Sequence, residues 1–286
     1  MSYLNKVICI VIALILTLPT VADAQESYSP IPNKNKGQFY FYWGWNQSVY
    51  SNSDINFTGD DYNFTLHDVK AKDRQTKLSG TYFNPGTATI PQYNFRIGYF
   101  ITEHLSISFG ADHMKYVVTQ NQTVNVSGEI HGAHTGFDAV YTDGNEEVQL
   151  TEDFLKFEHT DGLNYENIEL RYHYRLADIK SFSIDLVEGF GFGALLPKTN
   201  STLLGNERND EFHLAGFGLG AIFAVNIAHK SGVFIQSEAK GGYINMPDML
   251  TTKYSADRAS QSFYFFQYNI VLGYKFGKVK QIKINE

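Results

Sequence analysis

Eight stretches of this chain alternate large apolar residues with small or polar ones at a period of two, and the gaps between them are short and long in strict turn. Period two puts successive side chains on opposite faces of a β-strand, so each stretch reads as a strand with one apolar face. The stretches cover 38–50, 92–101, 105–118, 154–176, 181–196, 211–227, 232–246 and 262–276. In the first, Phe39, Phe41, Trp43 and Trp45 oppose Tyr40, Tyr42, Gly44 and Asn46. In the last, Tyr264, Phe266, Tyr268, Ile270, Leu272, Tyr274 and Phe276 oppose Gln267, Asn269, Gly273 and Lys275.

The second face decides between architectures. A soluble sandwich turns its apolar face inward and carries freely hydrated charge outside. Here the other face is rich in glycine (Gly189, Gly191, Gly193, Gly218, Gly220) and holds Glu169, Arg171, His173 and Arg175 in the fourth stretch. A narrow barrel with lipid outside and a crowded, partly hydrated lumen requires such a face. The gaps agree: 102–104, 177–180 and 228–231 are tight, whereas 51–91, 119–153, 197–210 and 247–261 are long. Membrane barrels alternate short periplasmic turns with long extracellular loops in this way. The expected fold is therefore all-β, an eight-stranded antiparallel up-and-down transmembrane β-barrel over 38–276, with an exported soluble β-sandwich as the alternative.

Of the 286 residues, 43% are hydrophobic and 15% aromatic, which excludes a disordered chain. The net charge of −7 supplies no basic face to replace counterions on phosphate, so no nucleic-acid partner is expected. Cys9 is the only cysteine, which excludes an intramolecular disulfide and a thiolate-rich zinc site. It lies within 1–24, which reads as an export signal: Lys6, an apolar run over 7–18, Pro19, then Ala22-Asp23-Ala24 as the cleavage site. That run is too short to span a bilayer as a helix, which takes about 20 residues, although an uncleaved anchor is the other reading. Cleavage near Ala24, a linker over 25–37 and a periplasmic tail over 277–286 complete the expected organisation, with the cell outer membrane as the destination.

The unit Arg96-Ile97-Gly98-Tyr99-Phe100-Ile101-Thr102-Glu103-His104-Leu105-Ser106-Ile107 and the closing Leu272-Gly273-Tyr274-Lys275-Phe276 resemble the eight-stranded outer-membrane barrels. That group includes OmpA-type transmembrane domains, OmpW-like proteins and PagL-type lipid A deacylases. The resemblance covers most of 38–276 and is architectural. It implies contact with outer-membrane lipid and lipopolysaccharide, and insertion by the barrel-assembly machinery. In the first long gap, Ser53-Asp54-Ile55-Asn56-Phe57 and Tyr62-Asn63-Phe64-Thr65-Leu66 resemble an uncharacterised outer-membrane barrel family of the Bacteroidota type. Such barrels commonly end on the terminal aromatic, whereas this chain continues past Phe276.

On the inward face, Arg96, Arg171, Arg175, Lys240 and Lys275 stand against Asp112, Glu169, Asp185 and Glu238, with His173 among them. Buried unpaired charge is costly, so this set is expected to form an ion-paired lumen network. A narrow gated pore is the other reading.

Chemistry is most concentrated in Glu158-His159-Thr160-Asp161, because a His beside a carboxylate and a hydroxyl is raw material for general-base or nucleophilic catalysis. Its likeness to the His-x-Ser of the deacylases is poor, since Asp161 stands where the nucleophile belongs, and strand neighbours point to opposite faces. Counting a membrane crossing of about 9–11 residues back from Leu176 leaves 158–161 above the lipid. His131-Gly132-Ala133-His134 lacks a third ligand, and Asp54, Asp60, Asp61, Asp68 and Asp73 lack the spacing of a calcium loop, so no metal and no cofactor is expected. Glu188 is anomalous: alternation puts it outward between Leu186 and Phe190, which predicts a bulge, a register change or protonation there. The expected role is a structural or surface-binding barrel acting on an unknown extracellular ligand through its first two long loops. A lipid A hydrolase with His159 as base and a narrow solute channel are the alternatives.

Overall fold

A computed structural model describes residues 35–76, 91–132, 136–206 and 211–277, without the side chains of Asp143, Thr160 and Asp161. The signal and most of the linker lie outside the described residues, as do the tail beyond Gly277 and His134. The described chain is all β. Its strands are β1 (Phe39–Tyr50), β2 (Ser53–Thr58), β3 (Tyr62–Val69), β4 (Ala71–Lys72), β5 (Tyr93–Phe100), β6 (Leu105–Val118), β7 (Thr123–Ile130), β8 (Ala139–Gln149), β9 (Leu155–Ile179), β10 (Phe182–Pro197), β11 (Asn200–Leu203), β12 (Gly216–His229), β13 (Val233–Leu250) and β14 (Arg258–Phe276).

Eight of these close a ring in the order β1, β5, β6, β9, β10, β12, β13, β14, and β14 returns to β1. Every neighbouring pair in the ring is antiparallel. The register can be followed once around: Phe39 to Tyr99, Ile107, Leu170, Phe190, Ala221, Gly241, Phe266 and back to Val49. The path returns ten residues further along β1. With a strand rise of about 3.3 Å and a spacing of about 4.8 Å, that stagger tilts the strands by roughly 40°, within the range for closed barrels.

The eight expected stretches coincide with these eight strands, with displaced ends. The sixth begins at Gly216 rather than at 211, β9 runs on to Ile179, and β14 starts earlier, at Arg258. Outward residues form an exposed apolar belt, including Phe41, Ile97, Phe109, Leu170, Phe192, Phe223 and Leu272, each at least 38% exposed. Inward glycines make room: a Cβ on Gly98 would lie 2.2 Å from the Tyr40 ring, and one on Gly191 would lie 2.5 Å from Glu169 Cγ.

The described parts of the long gaps are not open loops. The first folds into β2, β3 and β4, the second into β7 and β8, and the third into β11. The wall of the barrel continues from β14 into β2, β3, β7 and β8, while β11 joins β9 and β4 joins β6. Ile55, Phe57, Tyr62, Phe64, Leu66, Val124, Val126 and Ile130 alternate along these added strands and turn inward. Their burial drives the folding of the gaps.

The inner face changes character with height. Above Asp112, Asn167 and Gln267 the next inward residues are Met114, Tyr165 and Phe265, and above Lys240 come Gly242 and then Ile244. Met114, Tyr165, Phe265 and Ile244 join the apolar core of the added strands, so one core fills the long-loop end of the barrel. A smaller cluster of Tyr40, Tyr42, Phe100, Ala228, Phe234 and Val271 fills the short-turn end.

At Glu188 itself the register is regular on both sides, with Tyr172 and Phe223 as partners, so the bulge or register change expected there does not fall at that residue. Between β9 and β10 the register shifts at Ile184/Asp185, and Glu188 itself still points outward.

Candidate functional site

The chemistry of the lumen is assembled from six consecutive strands of the eight in the ring. Tyr42 comes from β1, Arg96 from β5, Asp112 from β6, Glu169 and Arg171 from β9, Glu238 and Lys240 from β13, and Asn269 from β14. The facing strands β10 and β12 contribute glycine at Gly189, Gly191, Gly218 and Gly220, which leaves space for those long side chains.

Glu169 is the centre of the network. Its carboxylate lies 2.9 Å from Arg96 Nη2, 2.5 Å from Arg171 Nη2 and 2.7 Å from Lys240 Nζ. Arg171 Nη1 reaches Glu238 Oε2 at 2.8 Å, and Lys240 pairs with Asp112. Three cations and three carboxylates therefore neutralise one another, all at most 2% exposed at the side chain. Neutral partners complete the set. Tyr42 Oη accepts from Arg96 Nε at 3.1 Å and from Arg171 Nη2 at 2.9 Å. Asn167 donates to Asp112 at 3.0 Å, and Asn269 and Gln236 donate to Glu238 at 3.0 and 2.9 Å. Buried charges need this degree of pairing and hydrogen bonding to persist.

A second group lies toward the short turns. Arg175 pairs with Asp185 and, at 2.7 Å, with Asp178, while Lys275 Nζ sits 3.6 Å from Asp185 and over the rings of Phe100 and Phe234. His173 Nε2 lies 3.0 Å from Ser106 Oγ, with its ring against Phe100. All the inward charged residues named from the sequence thus fall into two paired groups. Sequence reasoning missed Tyr42, which it placed on the right face without a role, and the four amides Asn94, Asn167, Gln236 and Asn269. For the amides the signal was available, since each alternates in phase with a named charge on its own strand.

The Glu158-His159 string stands apart from this lumen. His159 is fully buried in the upper core, with Nδ1 3.1 Å from Thr199 Oγ1, and rings of Phe157 and Tyr116 at 5.1 and 5.9 Å. Among the described residues its Nε2 has no hydrogen-bond partner. Burial pulls its pKa down from 6.5 to about 3, so the imidazole is neutral at pH 7. Glu158 turns the other way, accepting from Asn200 at 2.8 Å and pairing with Arg74 at 3.0 Å. The two residues do not meet, and the side chains of Thr160 and Asp161 are outside the described set.

The loop carboxylates have local partners. Asp54 accepts from the Asp68 backbone N–H at 2.9 Å and lies 3.3 Å from His67, and Asp73 accepts from the Ser48 backbone N–H at 2.8 Å. His131 faces Glu129 at 3.1 Å. Among the described residues no three His, Cys, Asp or Glu side chains converge as metal ligands.

No family model and no curated protein matches this chain. Its fold is similar to that of solved outer-membrane proteins. OprG from Pseudomonas aeruginosa is 11% identical with a TM-score of 0.42, over 85% of this chain and 98% of that one. Ail, the attachment invasion locus protein of Yersinia pestis, is 8% identical with a TM-score of 0.31, over 84% and 99%. The outer membrane protease OmpT from Escherichia coli is 9% identical with a TM-score of 0.30, over 88% and 100%.

Proposed function

We propose that this chain is an integral outer-membrane barrel that conducts nothing and holds a folded β-sheet cap on the cell surface as a recognition element. The observation that carries the reading is the continuity of β14, β2, β3, β7 and β8 over one apolar core, which makes the long connections a rigid module rather than tethers.

The outward apolar belt supports placement in a bilayer, because a contiguous apolar surface of that extent has no place in water. Long connections then face outside and short turns face the periplasm. Lipid and lipopolysaccharide contact the belt in this reading, and the barrel-assembly machinery inserts it.

Three layers oppose conduction: the aromatic cluster around Phe100 and Phe234, the neutralised network around Glu169, and the apolar core around Tyr116 and Phe263. A hydrolase would need a base and a nucleophile open to lipid headgroups. His159 is 0% exposed, so it offers no support for that alternative.

The polar side of the cap is where recognition would occur. Asn56 and Thr58 on β2, Asn63 and Thr65 on β3, and Asn125 and Ser127 on β7 point away from the core and pair across strands, Asn56 beside Thr65 and Thr65 beside Ser127. Asn56 Nδ2 donates to Asn63 Oδ1 at 3.2 Å and to Thr65 Oγ1 at 3.0 Å, which fixes the surface. Two measurements test the reading. Purified protein in planar bilayers should give no unitary conductance, and unboiled protein from outer-membrane fractions should migrate differently from boiled protein. Steady ion conductance, or recovery as a soluble exported protein with no mobility shift, would overturn it.

A further inference from the structure

On β10 the outward side chains run Phe182, Ile184, Leu186, Glu188, Phe190 and Phe192, so one carboxylate sits in the middle of the apolar belt. Its register partners are Tyr172 on β9 and Phe223 on β12, both outward. Tyr174 Oη donates to Glu188 Oε1 at 3.0 Å, and among the described residues this is the only partner recorded for the carboxylate. Tyr172 is 37% exposed, with its ring stacked on His104 at 5.6 Å and tilted against Tyr174 at 4.4 Å. Among the described residues its hydroxyl has no hydrogen-bond partner.

We propose that this outward face of β9, β10 and β12, centred on Glu188, pairs with the same face of a second copy of this chain inside the membrane. The inference rests on the bilayer placement above. A carboxylate with one partner is expensive in hydrocarbon, and an ionisable group there marks an interaction site unless something compensates it. On the barrel itself only the Tyr174 hydroxyl does so among the described residues, and no described lysine or arginine faces outward at that level. A lipid ammonium lies at the interface, beyond the two or three apolar residues that flank Glu188 on each side along β10.

A second copy fits because the face is self-complementary. Each copy carries the acceptor, Glu188, and a donor without a recorded partner, the Tyr172 hydroxyl. A two-fold axis gives each carboxylate the other copy's donor, which is the isologous pairing of symmetric dimers. Polar contacts of this kind hold membrane segments together where lipid and side chain are equally apolar. Leu170, Leu186, Phe190 and Phe223 surround the pair and exclude lipid from it.

Cysteine cross-linking tests the pairing directly. Cys9 is the only cysteine in the chain, so in a Cys9→Ser background an added cysteine is unique. Phe190→Cys reports on the proposed face. Phe41→Cys reports on β1, four strands away around the ring of eight. In proteoliposomes, oxidative dimer at Phe190→Cys should exceed that at Phe41→Cys by about tenfold, fall to the control level when Glu188→Leu is added, and return with Glu188→Gln. Equal yields at the two positions, or a yield that Glu188→Leu leaves unchanged, would overturn the proposal. Labelling of Phe41→Cys by a membrane-dissolved thiol reagent reads the bilayer placement separately, so a failed dimer and a failed membrane reading are told apart. Retained heat-modifiability of Glu188→Leu shows that the variant still folds.

Discussion

Tyr42 Oη accepts a hydrogen bond from Arg171 Nη2 at 2.9 Å, although it begins life on the sequence as one aromatic residue among many on β1. Through Arg171 it is joined to Glu169, and Glu169 touches all three cations of the central lumen. This arrangement predicts an asymmetry. Glu169→Ala leaves Arg96, Arg171 and Lys240 facing two carboxylates, and breaking a buried pair in this way costs about 3–5 kcal/mol. Urea-induced unfolding of refolded protein in lipid vesicles should show the midpoint falling accordingly. Tyr42→Phe removes only a neutral acceptor and should cost about 1–3 kcal/mol, the penalty of leaving guanidinium donors unsatisfied.

A quieter contact secures the top of β1. Its pairing with β5 ends at Trp45, and among the described residues no strand pairs with the backbone above on that side. Asp73 supplies an acceptor for the Ser48 N–H at 2.8 Å, and Gln75 donates to the Asn46 carbonyl at 3.2 Å. Asp73→Ala should therefore destabilise the junction between barrel and cap by about 1–2 kcal/mol. Faster amide exchange at Ser48, with the lower half of β1 unchanged, is the expected readout.

These contacts mark where the sequence was informative. The eight ring strands were legible because their two faces differ chemically over eight or more residues, from β5 with eight to β14 with 19, and because gap lengths alternate independently of face chemistry. The cap was not. Ile55 and Phe57 on β2, or Tyr62, Phe64 and Leu66 on β3, alternate over only a few residues, and they sit in gaps that barrel architecture allots to loops. The change of the inner face at Met114, Tyr165, Ile244 and Phe265 depends on what those gaps bring back over the barrel mouth, which is a tertiary fact with no local signature. His159 illustrates the same limit: beside Glu158 and Thr160 it looked like chemistry, and burial beside Tyr116 and Phe157 makes it core.

The burial of His159, above the part of β9 that faces lipid, gives the cap a pH dependence with a fixed sign. Its pKa is about 3 in the folded protein against 6.5 when solvated, so the unfolded cap binds the extra proton between those values. Stability from this group is fully present above about pH 6.5 and is lost as pH falls toward 3, by about 5 kcal/mol in total. Acidic side chains titrate over part of the same range, so the informative quantity is the difference between wild type and His159→Leu. Cap unfolding followed by limited proteolysis should weaken with acid more steeply in wild type. Parallel profiles in the two proteins would show that His159 is solvated.

Phe157 joins the cap to the barrel extension, since it lies on β9 while its ring meets Phe57 of β2 edge-on at 5.7 Å. It is fully buried, and truncating such a ring costs about 3–5 kcal/mol through lost burial and the cavity left behind. That loss falls on the cap and not on the membrane belt, whose strands pair around a closed ring without it. Phe157→Ala should therefore expose β2, β3, β7 and β8 to protease on intact cells while the unboiled protein keeps its shifted gel mobility. If the cap is the recognition element, ligand binding to cells should fall in proportion to cap cleavage at constant surface abundance. Simultaneous loss of the mobility shift would mean that cap and barrel fold as one cooperative unit, and the cap could then be varied only by substitutions on its polar face, at Asn56, Asn63, Thr65 and Ser127.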